Sequence, residues 1–150
     1  MKKRVGIIIL VLLLLILAGG GAAFYYYYSK YINIDAIYPG MTIQGMSVGG
    51  MTQEEAKAKV QEYVDKVSQE TVTLQVKKKE STFALSDIGL KCTNMDVVEK
   101  AYDFGKTGNV FKRVIEVRKL EKEGMDFPLT FSVDKAETRK VVKKKAKKFL

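Results

Sequence analysis

The sequence predicts an α+β fold: one N-terminal transmembrane helix, then a small domain of short antiparallel strands packed with about three amphipathic helices, then a C-terminal helix. Three features support this prediction. Residues 5–28 carry no charge, and a helix of that length can cross a bilayer. Several short segments alternate apolar and polar residues, as half-buried strands do. Longer segments repeat apolar residues every three or four positions, which is typical of amphipathic helices.

The first element is a membrane anchor. Val5–Ala23 contains twelve Val, Ile or Leu residues, and at about 1.5 Å per residue it spans about 28 Å, close to the hydrocarbon thickness of about 30 Å. The basic residues that precede it keep the N-terminus in the cytoplasm. We therefore predict a cytoplasmic tail at 1–4, a signal-anchor at 5–28 that contacts membrane lipid, and an extracytoplasmic C-terminal domain. The alternative is a signal peptide cleaved near Gly21–Ala23.

Aromatic residues follow the apolar run and fit a belt at the outer membrane interface. They are Phe24, Tyr25, Tyr26, Tyr27, Tyr28 and Tyr31. A short stem is predicted at 29–37, where Ile32, Ile34 and Ala36 alternate with other residues and lead into the first strand.

Pro39–Ala56 joins two short strands to a helix. The apolar residues of these strands are spaced two apart: Met41, Ile43, Met46 and Val48. Glycines between and after the strands permit sharp turns. Thr52 and Glu55 fit a capping box, which predicts a helix over 53–67.

The next segments predict a hairpin and two further helices. Alternation over 72–76 and 83–85 indicates two strands with a charged tip at 77–80. Asn94 is a candidate N-cap for a helix that ends near Phe104. A second helix is predicted over 109–120, and its buried residues are expected to be Phe111, Val114 and Ile115, with Val110, Val117 and Leu120 as further candidates.

The last segments predict a strand and a basic helix. Phe127, Leu129, Phe131 and Val133 alternate, and we expect this strand to join the hairpin's sheet, with Pro128 at an edge or at the strand's start. Asp134 and Glu137 cap a helix over 134–150, which we expect to continue into a missing downstream segment. Its apolar stripe comprises Thr138, Val141, Val142, Ala146, Phe149 and Leu150.

Two motifs resemble the peptidoglycan-binding repeat domain of VanW-like envelope proteins and of some L,D-transpeptidases. The first is matched by Pro39, Gly40, Ile43, Gly45, Val48, Gly49, Gly50, Met51, Thr52, Glu55 and Ala56. The second is matched by Ser86–Leu90, Ala101, Tyr102, Gly105, Gly108 and Asn109. The resemblance covers about residues 34–132. It implies an α+β domain at 38–133 that contacts peptidoglycan outside the membrane.

The charge distribution argues against a nucleic-acid partner. The net charge is +9, but residues 29–133 hold 15 basic and 15 acidic residues. The excess lies at the two ends, so the body lacks the basic surface that phosphate binding needs. The eight basic residues of 134–150 could attract anionic wall polymer, and the alternative is a solvated face.

No catalytic constellation is present in the sequence. The chain has no histidine, which removes the usual activation of a serine or cysteine nucleophile. We predict no enzyme activity, no metal and no cofactor in this chain. Cys92 has no second cysteine to pair with inside the chain, so it is either a packed apolar residue or an intermolecular bridge.

The sequence therefore predicts a membrane-anchored extracytoplasmic module that engages peptidoglycan. The alternatives are a structural stalk for a missing downstream VanW-like or L,D-transpeptidase domain, and a protein–protein adaptor in the envelope. We expect a ligand site near the glycine turns, where backbone amides would be free to donate hydrogen bonds. The candidate ligand-binding residues are Tyr38, Gln44, Gly45, Gly49, Gly50, Tyr102 and Asn109.

Overall fold

The computed structural model describes residues 2–32 and 34–147. It has an α+β fold, as the sequence predicted. The first element is the helix α1 (Lys2–Tyr31), which is long and apolar enough to cross a membrane or to act as a signal sequence. Its side chains from Gly6 to Lys30 are exposed. The remaining described residues, 34–147, are called the body below.

α1 enters the body directly. The helix extends through Tyr31, whose side chain is buried in the core. The first residues of the predicted stem, 29–31, belong to α1, and residues 34–38 form no helix or strand before β1; Asn33 lies outside the described residues. The apolar residues of this segment instead pack against the core, and Ile37 and Tyr38 are fully buried within it.

A small mixed sheet lies at the centre of the body. β1 (Met41–Ile43) pairs antiparallel with β2 (Met46–Ser47). The two residues between them, Gln44 and Gly45, both have positive φ, as a tight hairpin turn of the primed type requires. The other edge of β1 pairs in parallel with β6 (Met125–Phe127). Met41 and Ile43 are fully buried, which confirms the predicted strand face.

α2 (Gln53–Gln69) begins at the predicted capping box. The Thr52 hydroxyl accepts a hydrogen bond from the Glu55 amide, and the Glu55 carboxylate accepts one from the Thr52 amide. These two bonds satisfy amide donors that a helix N-terminus otherwise leaves unpaired. The helix predicted over 53–67 is confirmed, and Ala56 and Val60 are fully buried on its inner face.

The hairpin consists of β3 (Thr71–Val76) and β4 (Lys79–Ala84). Its turn contains two residues rather than the predicted four, because Lys79 and Glu80 pair within the ladder. Lys77 adopts positive φ to make this shorter turn possible. Phe83 is buried, whereas Val72 on the partner strand is 41% exposed.

A 3-10 turn (Leu85–Ile88) and β5 (Lys91–Cys92) connect the hairpin to α3 (Val97–Asp103). Asn94 does not cap α3, contrary to the prediction. Its side chain instead accepts a hydrogen bond from the Thr130 amide and donates one to the Pro128 carbonyl. Asn94 thus ties the start of α3 to a segment more than thirty residues later in the chain.

α4 (Val110–Glu123) is capped by Asn109, whose side chain accepts a hydrogen bond from the Lys112 amide. Its buried residues are Val117 and Leu120. The prediction that Phe111 and Ile115 are buried is wrong, since they are 82% and 67% exposed. The helix carries two apolar faces, and periodicity could not tell which one meets the core.

The predicted long strand after α4 is split in two at Pro128, which has no amide to donate to a ladder. Its first part, β6, joins β1, and its second part, β7 (Phe131–Ser132), pairs with β5. Neither part joins the β3–β4 hairpin, so the predicted sheet partner is wrong. The edge of β1 and the short strand β5 offered closer partners for these backbone groups.

α5 (Lys135–Ala146) completes the described chain. The Asp134 carboxylate accepts hydrogen bonds from the Ala136 and Glu137 amides, which confirms the predicted cap. Four residues of the predicted apolar stripe are half-buried: Thr138, Val141, Val142 and Ala146. Phe149 and Leu150 lie outside the described residues. Lys145 donates a hydrogen bond to the Thr82 carbonyl and so fixes α5 beside the hairpin.

Candidate functional site

Two of the three glycines in the predicted ligand-binding turns, Gly45 and Gly50, donate their backbone amides to other groups of the fold. The Gly45 amide donates to the Asp126 carboxylate at 2.8 Å, and the Gly50 amide donates to the Ile37 carbonyl at 2.8 Å. A Cβ at Gly49 would lie 2.9 Å from the Cα of Pro39, so this glycine permits a close crossing of two backbone segments. The prediction assumed free amides at these turns, whereas the Gly45 and Gly50 amides are bonded within the fold. Together with the close crossing at Gly49, these bonds indicate a structural role for the three glycines, and their contact with a ligand stays a prediction.

Asp126 holds the β1–β2 turn electrostatically. Its carboxylate accepts hydrogen bonds from the Thr42 hydroxyl at 2.5 Å and from the Gly45 amide. Both bonds lower the pKa of the Asp126 carboxyl group from its usual value, and the bond from Thr42 has the larger effect.

Replacing Asp126 with asparagine should make the stability of the protein less dependent on acid pH. The pKa of the Asp126 carboxyl group is lower in the folded state than its usual value of about 4. The carboxylate therefore stabilises the fold at pH values above about 4, and this stabilisation is lost as pH falls toward the lowered pKa. Urea unfolding at several pH values should show D126N to be less stable than wild type at pH 7, with the difference shrinking below about pH 4. A difference that does not change with pH would contradict this assignment.

Two predicted site residues serve the interior of the fold. Tyr38 is 1% exposed, and its hydroxyl donates a hydrogen bond to the Tyr31 carbonyl at 2.6 Å. Its ring therefore has no free face for stacking on a sugar. The side-chain oxygen of Gln44 accepts a hydrogen bond from the Leu129 amide at 2.8 Å, which links the β1–β2 turn to the segment after β6.

Tyr102 lies in a cluster that the sequence did not reveal. The Tyr102 hydroxyl donates a short hydrogen bond to the carboxylate of Asp35, in the segment that follows α1. That bond is the main cause of a raised pKa for the Tyr102 hydroxyl. The ammonium of Lys106 lies 3.1 Å from the centre of the Tyr102 ring, which is a cation–π contact.

Within residues 2–32 and 34–147, the ammonium of Lys106 is the buried side-chain polar group that has no hydrogen-bond partner. Its nitrogen is shielded from solvent and has no hydrogen-bond partner within the described chain. Burial lowers the pKa of this group, opposed by the charges of Asp35 and Asp103, while Arg113 adds to the lowering. A buried ammonium normally needs acceptors, so this position favours a ligand that supplies oxygen atoms.

Arg113 fixes the geometry around this cluster. Its guanidinium donates hydrogen bonds to the Gly105 carbonyl at 2.9 Å and to the Ile32 carbonyl at 2.7 Å. It therefore connects α4 both to the loop that carries Lys106 and to the end of α1. Asn109, another predicted site residue, is occupied as the N-cap of α4.

A shallow groove of about 420 Å³ runs along α3, and one of its lining residues, Asp103, acts electrostatically on Lys106. Its lining residues are mainly charged or polar: Asp96, Glu99, Lys100, Asp103, Phe104 and Thr107. The Asp96 carboxylate forms an ion pair with the Lys100 ammonium at 2.6 Å, and this contact lowers the pKa of the Asp96 carboxyl group. We call this groove together with Asp35, Tyr102 and Lys106 the α3 polar surface.

The sequence named Tyr102 as a candidate site residue but did not indicate the residues that surround it in the structure. Lys106 is one of many lysines in the chain, so its residue type did not distinguish it. The glycines near it, Gly105 and Gly108, indicated a turn in the chain at this point. Asp35 is distant in sequence, so its contact with Tyr102 depends on tertiary structure. Among residues 2–32 and 34–147, no group of three or more His, Cys, Asp or Glu side chains is arranged to hold a metal ion.

Comparison with known proteins gives one match. No curated protein and no solved structure matches the chain. The matched family model covers residues 81–150, just under half of the chain, and so begins downstream of the Pro39–Ala56 motif and includes the segment of α5. Tyr102, Lys106 and the α3 groove lie within the matched residues, whereas Asp35 lies outside them. Residues 81–150 of this chain are thus similar to the family described as "Putative peptidoglycan binding domain".

Proposed function

We propose that this protein is a membrane-anchored module that binds peptidoglycan outside the membrane and has no catalytic role of its own. The observation that carries the proposal is the match of residues 81–150 to a peptidoglycan-binding family. The apolar helix α1 supports the anchor, because it precedes the matched segment and could place it outside the membrane.

The α3 polar surface is the binding site that we propose. Peptidoglycan carries sugar hydroxyls, amide carbonyls and peptide carboxylates, and all of these can accept hydrogen bonds from an ammonium group. Lys106 has such a group without an acceptor among the described residues. Its nitrogen is shielded against the Tyr102 ring, so we propose that the side chain swings away from this ring when a ligand binds. The adjacent groove has both carboxylates and a lysine, which suits a ligand of mixed charge. The other predicted ligand-binding residues make bonds or close contacts within the fold and are not part of the site that we propose: Tyr38, Gln44, Gly45, Gly49, Gly50 and Asn109.

Replacing Lys106 with methionine should weaken binding to isolated sacculi. Methionine keeps the apolar stem but removes the ammonium, and a lost hydrogen bond to a charged group costs about 1.5–3 kcal/mol, roughly tenfold or more in affinity. The assay is co-sedimentation of the full chain, in detergent micelles, with purified sacculi. The thermal stability of K106M should stay close to that of wild type, because the cost of a shielded ammonium without an acceptor is removed together with its cation–π contact to Tyr102.

Lys119→Met is the matched control. Lys119 lies on α4, outside the α3 polar surface, and its side chain is 69% exposed and already paired with Glu123, so its removal should change retention much less. If K106M binds sacculi as well as wild type and K119M do, the α3 polar surface is not the site. If wild type itself is not retained, the proposed function is refuted.

The proposed topology is a cytoplasmic N-terminus with the body on the outer side. Lys2, Lys3 and Arg4 precede the apolar run, whereas Lys30 is the basic residue that closely follows it, and this difference favours a cytoplasmic N-terminus. Protease added to wall-stripped cells should digest the body and spare a membrane-protected fragment of α1. Digestion that requires membrane permeabilisation would contradict this topology.

A structural stalk is the second candidate, and the junction between α1 and α4 favours it. Lys30 pairs with Glu121 at 3.6 Å, and Arg113 binds the Ile32 carbonyl, so the body is held at a defined angle to the anchor. Such a stalk would position a VanW-like or L,D-transpeptidase domain without binding glycan. A protein that is not retained on sacculi yet keeps a rigid junction would favour the stalk.

A further inference from the structure

An exposed apolar face of α4 lies beside the outer end of the anchor. Phe111 is 82% exposed, Ile115 is 67% exposed and Val110 is 43% exposed. With Val114 they form one side of a groove of about 470 Å³, and the other side is formed by α1 and the residue after it. The residues on that second side are Ala23, Phe24, Tyr27, Tyr28 and Ile32.

This groove lies near the position along α1 where the hydrocarbon core of a bilayer would end. If the hydrocarbon core begins at Val5, its thickness of about 30 Å corresponds to about 20 helical residues and ends near Phe24. Ala23 and Phe24 line the groove together with Phe111 and Ile115. The exposed side chains of α4 are therefore level with the outer boundary of the hydrocarbon.

The charges of α4 fit the same orientation. Arg118 and Lys122 follow Phe111 and Ile115 by one or two helical turns, on the same side of the helix. The Arg118 guanidinium lies 6.0 Å from the centre of the Tyr27 ring, within the aromatic segment after the apolar run. Long basic side chains in this position can reach lipid phosphates while their stems cover apolar surface.

We propose that α4 is a second membrane contact: its Phe111–Ile115 face enters the outer leaflet and holds the body flat against the bilayer. The occupant of the groove is then lipid acyl chain. This face is apolar and the opposite face packs on the core through Val117 and Leu120, so α4 joins the body to the membrane as an interfacial amphipathic helix would. The inference rests on the proposed anchor.

Tryptophan fluorescence can test this contact, because the chain contains no tryptophan. Three full-length variants, each with one tryptophan, are reconstituted in vesicles at a high lipid-to-protein ratio: F111W, F24W in the anchor and V72W on the hairpin. Val72 is an apolar, 41% exposed residue of β3, whose hairpin lies beside α5, so V72W is the matched control. Emission is compared in ordinary lipid and in lipid brominated on the acyl chains.

We expect F111W to emit at shorter wavelength than V72W and to lose most of its emission in brominated lipid, as F24W does, while V72W keeps its emission. I115W, at a residue that is 67% exposed, should behave like F111W. If F24W is quenched but F111W and I115W resemble V72W, the α4 contact is refuted and the anchor is retained. If F24W is not quenched, both the anchor and the α4 contact are refuted. A blue shift of F111W that depends on protein density and not on bromine would assign the groove to a second copy of the chain, and it would also overturn the lipid contact.

Discussion

Replacing Gly49 with alanine should lower the free energy of unfolding of the body by about 3 kcal/mol, at the upper end of the usual cost of overpacking. A Cβ at this position would lie 2.9 Å from the Cα of Pro39 and 3.2 Å from the Gly40 nitrogen and the Tyr38 carbonyl oxygen. All three are backbone atoms, so no side chain can rotate away. Relief requires the two chain segments to separate.

That separation would also damage the bonds beside the crossing. The Ile37 amide donates to the Met51 carbonyl at 2.8 Å, and the Ile37 carbonyl accepts from the Gly50 amide at 2.8 Å. Ile37 is fully buried, so weakening these bonds exposes part of the core. The measurement is urea unfolding of the full chain in micelles, followed by near-ultraviolet circular dichroism of its tyrosines.

Gly45→Ala is the matched control for this variant. Gly45 has φ of +73° but nothing within 4 Å of its Cβ position, so alanine there costs backbone strain of about 1–2 kcal/mol and no collision. G49A should therefore be clearly less stable than G45A. Equal stability of the two variants would show that the crossing at Gly49 can relax without loss.

The sequence predicted the elements of the fold better than their partners. Capping signals depend on neighbouring residues, and two of the three predicted caps are confirmed: Thr52 with Glu55, and Asp134, each begin a helix. The third, Asn94, does not cap α3, because its side chain bonds to the segment after β6. The pairing partners of the strands could not be predicted from the sequence. β6 pairs in parallel with β1 across more than eighty residues, and two-residue and three-residue strands carry too little pattern to name a partner.

Burial was misjudged where a helix has two apolar faces. In α4 the sequence favoured Phe111 and Ile115 for the core, and the structure buries Val117 and Leu120 there instead. Both faces satisfy the same helical period, so the choice depends on where α1 and the sheet lie. The mismatch is informative, because an unexpected exposed face beside a membrane anchor is what the α4 contact needs.

The residues around Tyr102 in the candidate site were harder to predict than the strand partners, because tertiary structure alone brings them together. Tyr102 could be named from a motif, but the Asp35 carboxylate and the Lys106 ammonium reach it from separate segments. Glycines were read as ligand-binding turns because flexible backbone often carries function. In this fold, positive φ at Gly45 and Gly50 and the close crossing at Gly49 account for those residues through packing and hydrogen bonds.

Replacing Tyr38 with alanine should destabilise the body by about 3–5 kcal/mol, the usual cost of removing a large buried ring. The ring is fully buried, and its Cε2 atom would lie 3.2 Å from a Cβ placed at Gly105, so the side chain fills the space between the first segment of the body and the α3–α4 loop. Its hydroxyl also satisfies the Tyr31 carbonyl near the end of α1. Unfolding in urea should therefore begin at a much lower concentration for Y38A than for wild type.

Tyr38→Phe separates the ring from the hydroxyl. Phenylalanine keeps the packing but leaves the Tyr31 carbonyl without this donor, which should cost about 1–2 kcal/mol. Because Tyr38 has no exposed face, Y38F should be retained on sacculi as well as wild type is, provided that it is assayed below its unfolding transition. A folded Y38F that loses retention would place the hydroxyl in contact with the ligand, and would return Tyr38 to the binding site.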